Sequence, residues 1–200
     1  MELIRSPAEL SSEASKVNDT KGVYFVPAFK GLFAPRWRSD ARGFVFTVLH
    51  DETLLIVENR IIVGLTGNQT KAHLCRAVLE AVGYQVKEIF DAMHKDCSEI
   101  SIDSLKVDGG MTASTVFLQV QADILGVKVV RPKFNESTVL GAAFAAGLHL
   151  GVYKHCNYLN DDQHCSEFEP TITEETRQKN YEGWNRAVEA SCSFATANKL

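Results

Sequence analysis

Short apolar runs rich in β-branched residues alternate along this chain with longer stretches whose apolar positions recur every three to four residues. Gly22–Phe29 (GVYFVPAF) reads as a buried strand, ended by Pro27 and the turn residues after it. Ile61–Leu65 reads as another, closed by Thr66-Gly67-Asn68. Thr70–Asp96 then carries Leu74, Val78, Ala81, Val82, Ile89 and Met93 on one helical face, with Asn68 or Thr70 as its cap. Gly83 in that helix costs about 1 kcal/mol relative to alanine, which predicts a close helix contact there. Glu80 and Lys71 read as solvated charges.

Further on, Leu105–Val107 is a strand and Val107-Asp108-Gly109-Gly110 a glycine turn. Ala113–Leu125 is a helix with Phe117, Val120 and Ile124 as its buried stripe and Gly126 as its stop. Val127–Val130 is a short strand broken by Pro132. The helix over Ser137–Leu148 is built largely of Gly141, Ala142, Ala143, Ala145, Ala146 and Gly147, small enough to lie against a neighbouring backbone. Asn160–Thr173 reads as a polar linker. Glu174–Cys192 reads as a helix with Tyr181, Trp184, Val188 and Cys192 on one face. With a short helix around Ala8–Lys16 in the polar first segment, the alternation of strands and helices predicts an α/β fold.

Two segments stay open at this level. Lys30–Gly43 mixes aromatic, proline and arginine residues, and its Trp37 suits either a ligand stack or the core. Phe44–Arg60 holds two apolar runs around His50-Asp51-Glu52, a hairpin candidate without the preferred Asn-Gly or Asp-Gly turn.

Composition narrows the function classes. A net charge of −4 with no basic stripe argues against nucleic-acid binding. No apolar run approaches the roughly 18 residues of a membrane span, and the N-terminus lacks a secretory apolar core. Five cysteines without a CxxC pair make a poor disulfide framework. These features predict a cytoplasmic protein. His155-Cys156 and His164-Cys165 read as unpaired linker residues rather than a zinc site. The triplets at Asn18, Asn68 and Asn135 read as chance matches to a glycosylation acceptor.

Candidate chemistry centres on the glycine turn. A strand, a Gly-Gly turn and a helix is the arrangement with which α/β domains bring backbone close to a nucleotide. A strand-to-helix turn also needs glycine without any ligand. The neighbouring segments extend the signal. VYFVPAFKGLFAPRW, DARG, IIVGLTGNQTKAHLCRAVLEAV, VDGGMTASTVFLQVQADILGVKVVRP, ESTVLGAAFAAG and a tail with FEP and Trp184 occur in a fixed order. In that order they resemble the C-terminal half of the glycerol kinases, within the FGGY carbohydrate kinases, over roughly residues 20–195. Gly64-Leu65, His73-Leu74 and Ala77–Glu80 match that family's second signature, with Arg60 standing where a glycine is expected. The pattern PAF.GL.AP.W is more similar to glycerol kinases than to the pentose or gluconate kinases.

The resemblance implies a ribonuclease-H-like, actin-like ATPase domain, the second of two that clasp ATP and a polyol. It implies ATP with Mg2+ and glycerol as ligands, glycerol being held mostly by the other half, and a family that often self-associates into homo-oligomers. It implies a segment 1–20, a C-terminal-type domain over 21–154 with an atypical insertion at 44–60, and a linker with C-terminal helix over 155–200. Residue by residue, Gly109 and Gly110 fall against the nucleotide. Ser114 stands where an asparagine is usual, and Asn68 and Ala72 stand at the family's other nucleotide contacts, although Ala72 has no hydrogen-bonding side chain.

Two departures shape the functional expectation. Phosphoryl transfer needs a phosphate cradle, a metal-holding carboxylate and a residue that positions the attacking hydroxyl. Nothing in the chain matches the D-x-G-T hairpin that resemblance would require, so no residue, Asp108 included, is given a catalytic or metal-binding role. The expectation is weak ATP binding without glycerol phosphorylation. A kinase for another polyol or sugar, and a non-catalytic nucleotide-binding or oligomerisation module, are the alternatives. The second departure is Phe44–Arg60, where the family's pattern runs straight on. A surface hairpin is one reading and a translated short intron or gene-model error the other, and the exposed apolar content leans toward the latter.

Overall fold

A computed structural model describes residues 4–28, 30–39, 41, 44–45, 57–58, 61–97, 102–133, 136–153 and 165–197. Its elements in chain order are α1 (Pro7–Ala14), β1 (Tyr24–Val26), β2 (Phe44–Val45), β3 (Val57–Glu58), β4 (Ile61–Val63), α2 (Lys71–Asp96), β5 (Ser104–Lys106), a 3-10 turn (Gly110–Ala113), α3 (Thr115–Leu125), β6 (Lys128–Arg131), α4 (Ser137–His149), β7 (Ser166–Phe168) and α5 (Glu174–Ala197). They divide into two compact units, residues 1–101 with 172–200, and residues 102–171.

Helix starts follow local chemistry. Ser6 accepts from the Glu9 N–H at 3.2 Å and Pro7 opens α1, where a missing N–H costs nothing. Thr70 caps α2, its own N–H donating to His73 Nδ1 at 3.1 Å. Of the two cap candidates for this helix, Thr70 takes the role.

In the first unit, β1 and β4 pair antiparallel, from Tyr24 opposite Val63 to Val26 opposite Ile61. β2 and β3 also pair antiparallel, so the two ends of the expected hairpin meet; residues 46–56 lie outside the described ones. Val23, Val26, Leu79, Trp184 and Val188 form the core. Tyr84 stacks on Trp184 (5.2 Å between centroids) and on Tyr181 (6.2 Å), joining α2 to α5. Gly183 admits Tyr24 to this cluster, since a Cβ there would meet the tyrosine hydroxyl at 2.0 Å.

The buried faces of α2 differ from the expected stripe. Of that stripe Ala81 is buried, Leu74, Val78 and Val82 are half-buried and Ile89 and Met93 are exposed, whereas Ala72, His73, Cys75, Leu79, Tyr84, Glu88 and Phe90, outside it, are buried. The helix packs on α1 along one flank and on β1 and α5 along another, so burial follows two arcs rather than the most apolar one. Gly83 is buried on one of those arcs. Glu80 is not a solvated charge: its carboxylate accepts from Arg76 Nε at 3.0 Å and from the Tyr84 hydroxyl at 3.5 Å, and burial raises its pKa to about 6 despite the arginine. Lys71 is half-exposed and paired with Glu9 at 2.7 Å.

Glu88 organises the loop before β2. Its Oε1 accepts from Trp184 Nε1 at 2.8 Å and from Arg36 Nε at 2.8 Å, while Arg36 Nη2 reaches Asn185 Oδ1 at 2.5 Å. Leu32 and Arg38 exchange both backbone hydrogen bonds at 2.8 Å, closing the loop around Phe33–Trp37. Trp37 is 73% exposed with φ +48°, which decides against a place in the core.

In the second unit, β5 and β6 pair parallel and β7 adds antiparallel to β6, Val129 opposite Phe168. The stretch expected to be a polar linker thus supplies a strand. α3 is buried on nearly all sides, including Phe117, Val120 and Ile124 as expected, and ends at Gly126 with φ +75°. Asp123 on α3 accepts from the Thr171 N–H at 2.6 Å, the Thr171 hydroxyl at 3.0 Å and Gln119 Nε2 at 3.1 Å. These bonds fix the chain beyond β7. In α4 only Phe144 and Gly147 are buried. Its close approach is to a ring rather than a backbone: a Cβ at Gly147 would lie 2.4 Å from Tyr153, which stacks on Phe144 at 4.7 Å, while Gly141 faces open space.

Candidate functional site

The glycine turn is built at the C-terminal end of β5. The Val107 N–H donates to the Val130 carbonyl at 3.0 Å, holding the chain beside β6 up to the turn itself. Gly109 then takes φ +90° and ψ 177°, a region open in practice only to glycine. Among the described residues a Cβ at Gly109 or at Gly110 would meet nothing within 4 Å, which leaves room for a ligand to approach on that side. The need for glycine at 109 is conformational; at 110 it is not steric.

A compact set of hydrogen bonds shapes the 3-10 turn and the start of α3. The Gly109 carbonyl accepts both the Thr112 N–H at 3.1 Å and the Thr112 hydroxyl at 2.7 Å. Thr112 is buried, and its own carbonyl accepts from Arg131 Nη1 at 2.8 Å. Ser114 caps α3, its Oγ accepting from the Phe117 N–H at 3.1 Å. The hydroxyl expected to face a nucleotide therefore also holds a helix start. Asp108 accepts from the Ser137 hydroxyl at the first position of α4. That contact ties the turn to α4 and occupies the carboxylate nearest the glycines.

Gly109, Gly110 and Ser114 thus lie together on one turn of the second unit. Asn68 and Ala72 belong to the first. Asn68 is exposed in the turn before α2, beside Gln69, whose Oε1 accepts from the Thr66 N–H at 2.7 Å. Ala72 is 6% exposed, so its methyl packs inward and offers no side-chain contact to a ligand. Thr112 and Arg131, which fix the turn, are not singled out by the sequence pattern. An arginine closing an apolar strand just before Pro132 is the available signal.

The second unit also has a hollow of about 390 Å3 lined by Asp103, Ser104, Lys106, Lys128, Val130, Cys165 and Glu167. It contains none of the candidate residues, and Lys128 there is already paired with Glu167 at 2.9 Å and Glu169 at 3.0 Å. Among the described residues no three His, Cys, Asp or Glu side chains gather as a metal site. Of the residues weighed for zinc, Cys165 is a free thiol and His155, Cys156 and His164 lie outside the described ones. No helix among the described residues is long and apolar enough to cross a membrane.

Residues 2–150 match the family model for the FGGY family of carbohydrate kinases, C-terminal domain. The chain belongs to the FGGY family of carbohydrate kinases. This FGGY domain is 46% identical over 190 residues to glycerol kinase 2 of Streptomyces avermitilis, covering 94% of the chain and 34% of that protein. It is 47% identical over 187 residues to a glycerol kinase of Chloroflexus aurantiacus, covering 93% and 34%. Among solved structures, a Plasmodium falciparum glycerol kinase with ADP superposes with a TM-score of 0.76 at 35% identity, over 94% of this chain and 34% of that one. The FGGY chain therefore spans about a third of the length of these relatives, and it has their α/β, ribonuclease-H-like and actin-like fold.

Proposed function

We propose that this chain is the nucleotide-side domain of an ATP-dependent glycerol kinase acting in the cytoplasm, and that Gly109, Gly110 and Ser114 form its nucleotide-facing turn, with Asn68 and the backbone at Ala72 as further contacts. The observation that carries the reading is Gly109: its backbone is held where only glycine goes, at the end of a parallel strand, with open space outside it. The ADP complex of a relative at 35% identity is consistent with that reading.

In the parent reaction the γ-phosphoryl group of ATP passes to a glycerol hydroxyl, giving glycerol 3-phosphate. This chain's share is to bind and orient the nucleoside end. The turn presents backbone at close range, and Ser114 holds α3 in register behind it. Among the described residues no cluster of carboxylates gathers at the turn to hold Mg2+. Asp108, the carboxylate beside the turn, is engaged by Ser137, and no acidic cluster stands near it among the described residues.

Titration calorimetry of the 200-residue chain with ADP, beside a coupled glycerol-phosphorylation assay, tests the proposal. Saturable ADP binding with phosphorylation at the level of a no-protein blank is expected. Absence of any ADP heat would overturn the nucleotide assignment. Turnover well above blank would overturn the division of labour.

A further inference from the structure

The Arg131 guanidinium in the second unit bonds to a backbone carbonyl and to a hydroxyl. At the end of β6, its Nη1 donates to the Thr112 carbonyl at 2.8 Å and its Nη2 to Ser166 Oγ at 3.3 Å, while the group lies over the Phe168 ring at 5.8 Å. The Phe168 face and the Ser166 hydroxyl both come from β7, so the strand absent from the sequence expectation supplies the arginine's seat. A guanidinium has a planar fork of donors that can bridge two acceptors while stacking on an aromatic face. A lysine ammonium can make one of these bonds but not the set.

We infer that Arg131 is a positioning residue for nucleotide binding: by fixing the Thr112 carbonyl it sets the conformation of the Gly109–Ala113 turn that meets the nucleotide. The chain of contacts is short and continuous. Arg131 holds the carbonyl of Thr112; the N–H and hydroxyl of Thr112 hold the carbonyl of Gly109; and Gly109 carries the glycine-only backbone geometry. Without the guanidinium, the Thr112 carbonyl of a buried residue loses a charge-assisted donor, and the 3-10 turn is free to re-orient its peptide groups. The inference rests on the nucleotide reading of this turn, but its first link, from Arg131 to the turn, is measurable without any ligand.

The experiment compares Arg131→Lys and Arg131→Met with the unsubstituted 200-residue chain by amide hydrogen exchange and by calorimetry with ADP. Exchange at the Thr112 and Ser114 amides, which close the 3-10 turn, should accelerate about tenfold in R131M and less in R131K, while amides of α5 in the first unit keep their rates. ADP affinity should fall about tenfold in R131M, the size expected for one lost charge-assisted contact, with R131K between the two. The graded response of R131K matters because a merely structural role would change global stability without ordering affinity this way. Unchanged exchange at Thr112 and Ser114 in R131M would overturn the positioning role outright. Accelerated exchange with ADP affinity within twofold of the parent in both variants would show that the turn is positioned but not for the nucleotide, which also overturns the inference. If the parent chain binds no ADP, the inference falls with the nucleotide reading, and the exchange data then show which of the two links failed.

Discussion

Replacing Gly109 by alanine separates conformational demand from steric demand at the turn, because Gly110 next to it provides a matched control. Neither position has a heavy atom within 4 Å of where a Cβ would sit, so neither substitution creates a clash. They differ in backbone: Gly109 has φ +90° and ψ 177°, while Gly110 has no positive φ and opens a 3-10 turn. Holding an L-residue in the first geometry costs about 1–3 kcal/mol. At Gly110 the leading effect is the reduced freedom of the unfolded chain, which stabilises by about 0.4–1 kcal/mol where the native conformation suits alanine. The unfolded-chain effect is common to both variants, so they should differ in stability by the strain alone, about 1–3 kcal/mol, with G109A the weaker. Urea unfolding followed by far-UV circular dichroism is the suitable assay, since Trp37 and Trp184 both lie in the first unit and their fluorescence does not report on the turn. Matching midpoints and slopes for G109A and G110A would refute the claim that backbone geometry is what demands glycine at 109.

The first unit supplies three further tests. Glu88→Gln keeps an acceptor for Trp184 Nε1 but removes the charge opposite Arg36, and with Glu88 only 7% exposed the loss should be about 2 kcal/mol, read from Trp184 fluorescence in a urea titration. An unchanged midpoint would mean that the pair contributes nothing net. Glu80 gives a pH signature: its pKa of about 6 in the folded chain exceeds the ordinary 4.5, so the folded state holds a proton that the unfolded state has released. Stability from this group is full below pH 4.5 and declines as pH rises through 6, by about 2 kcal/mol in total, a decline that Glu80→Gln should abolish in urea midpoints measured from pH 4.5 to 7.5. Parallel pH profiles for the two proteins would remove Glu80 as the cause. Trp37→Ala should shift the midpoint by less than about 0.5 kcal/mol, since the ring is 73% exposed; a loss above about 2 kcal/mol would show that the ring is buried in solution.

What the sequence reveals, and what it does not, divides by the range of the deciding interaction. The stop of α3 at Gly126 and the glycine at 109 are legible because each is a demand of the local backbone: φ +75° or +90° favours the residue without a Cβ whatever surrounds it. The buried stripe of α3 is legible because that helix is enclosed on nearly every side, so any apolar periodicity in it points inward. α2 has the clearer period and yet its expected stripe is only partly covered: Ala81 is buried, Leu74, Val78 and Val82 are half-buried, and Ile89 and Met93 are exposed. It lies between α1 and the layer of β1 and α5, and which arcs those neighbours cover depends on contacts far apart in sequence, such as Trp184 to Glu88 across 96 positions. Those contacts also make a buried acceptor of Glu88, which composition alone assigns to solvent, whereas Glu80 is held by Arg76 and Tyr84 on its own helix. β7 escapes the sequence pattern because Ser-Glu-Phe has no strand signature of its own; it is a strand because β6 offers an edge whose hydrogen bonds must be met. The same reasoning covers the candidate site. The glycines are readable from four consecutive residues, but the arginine that fixes their turn acts across 19 positions and through a seat supplied by β7. With β7 taken for a linker, Arg131 has no visible reason to be an arginine. A missed strand and a missed anchor of the glycine turn are thus one error, and the variants at Gly109 and Arg131 test its two ends.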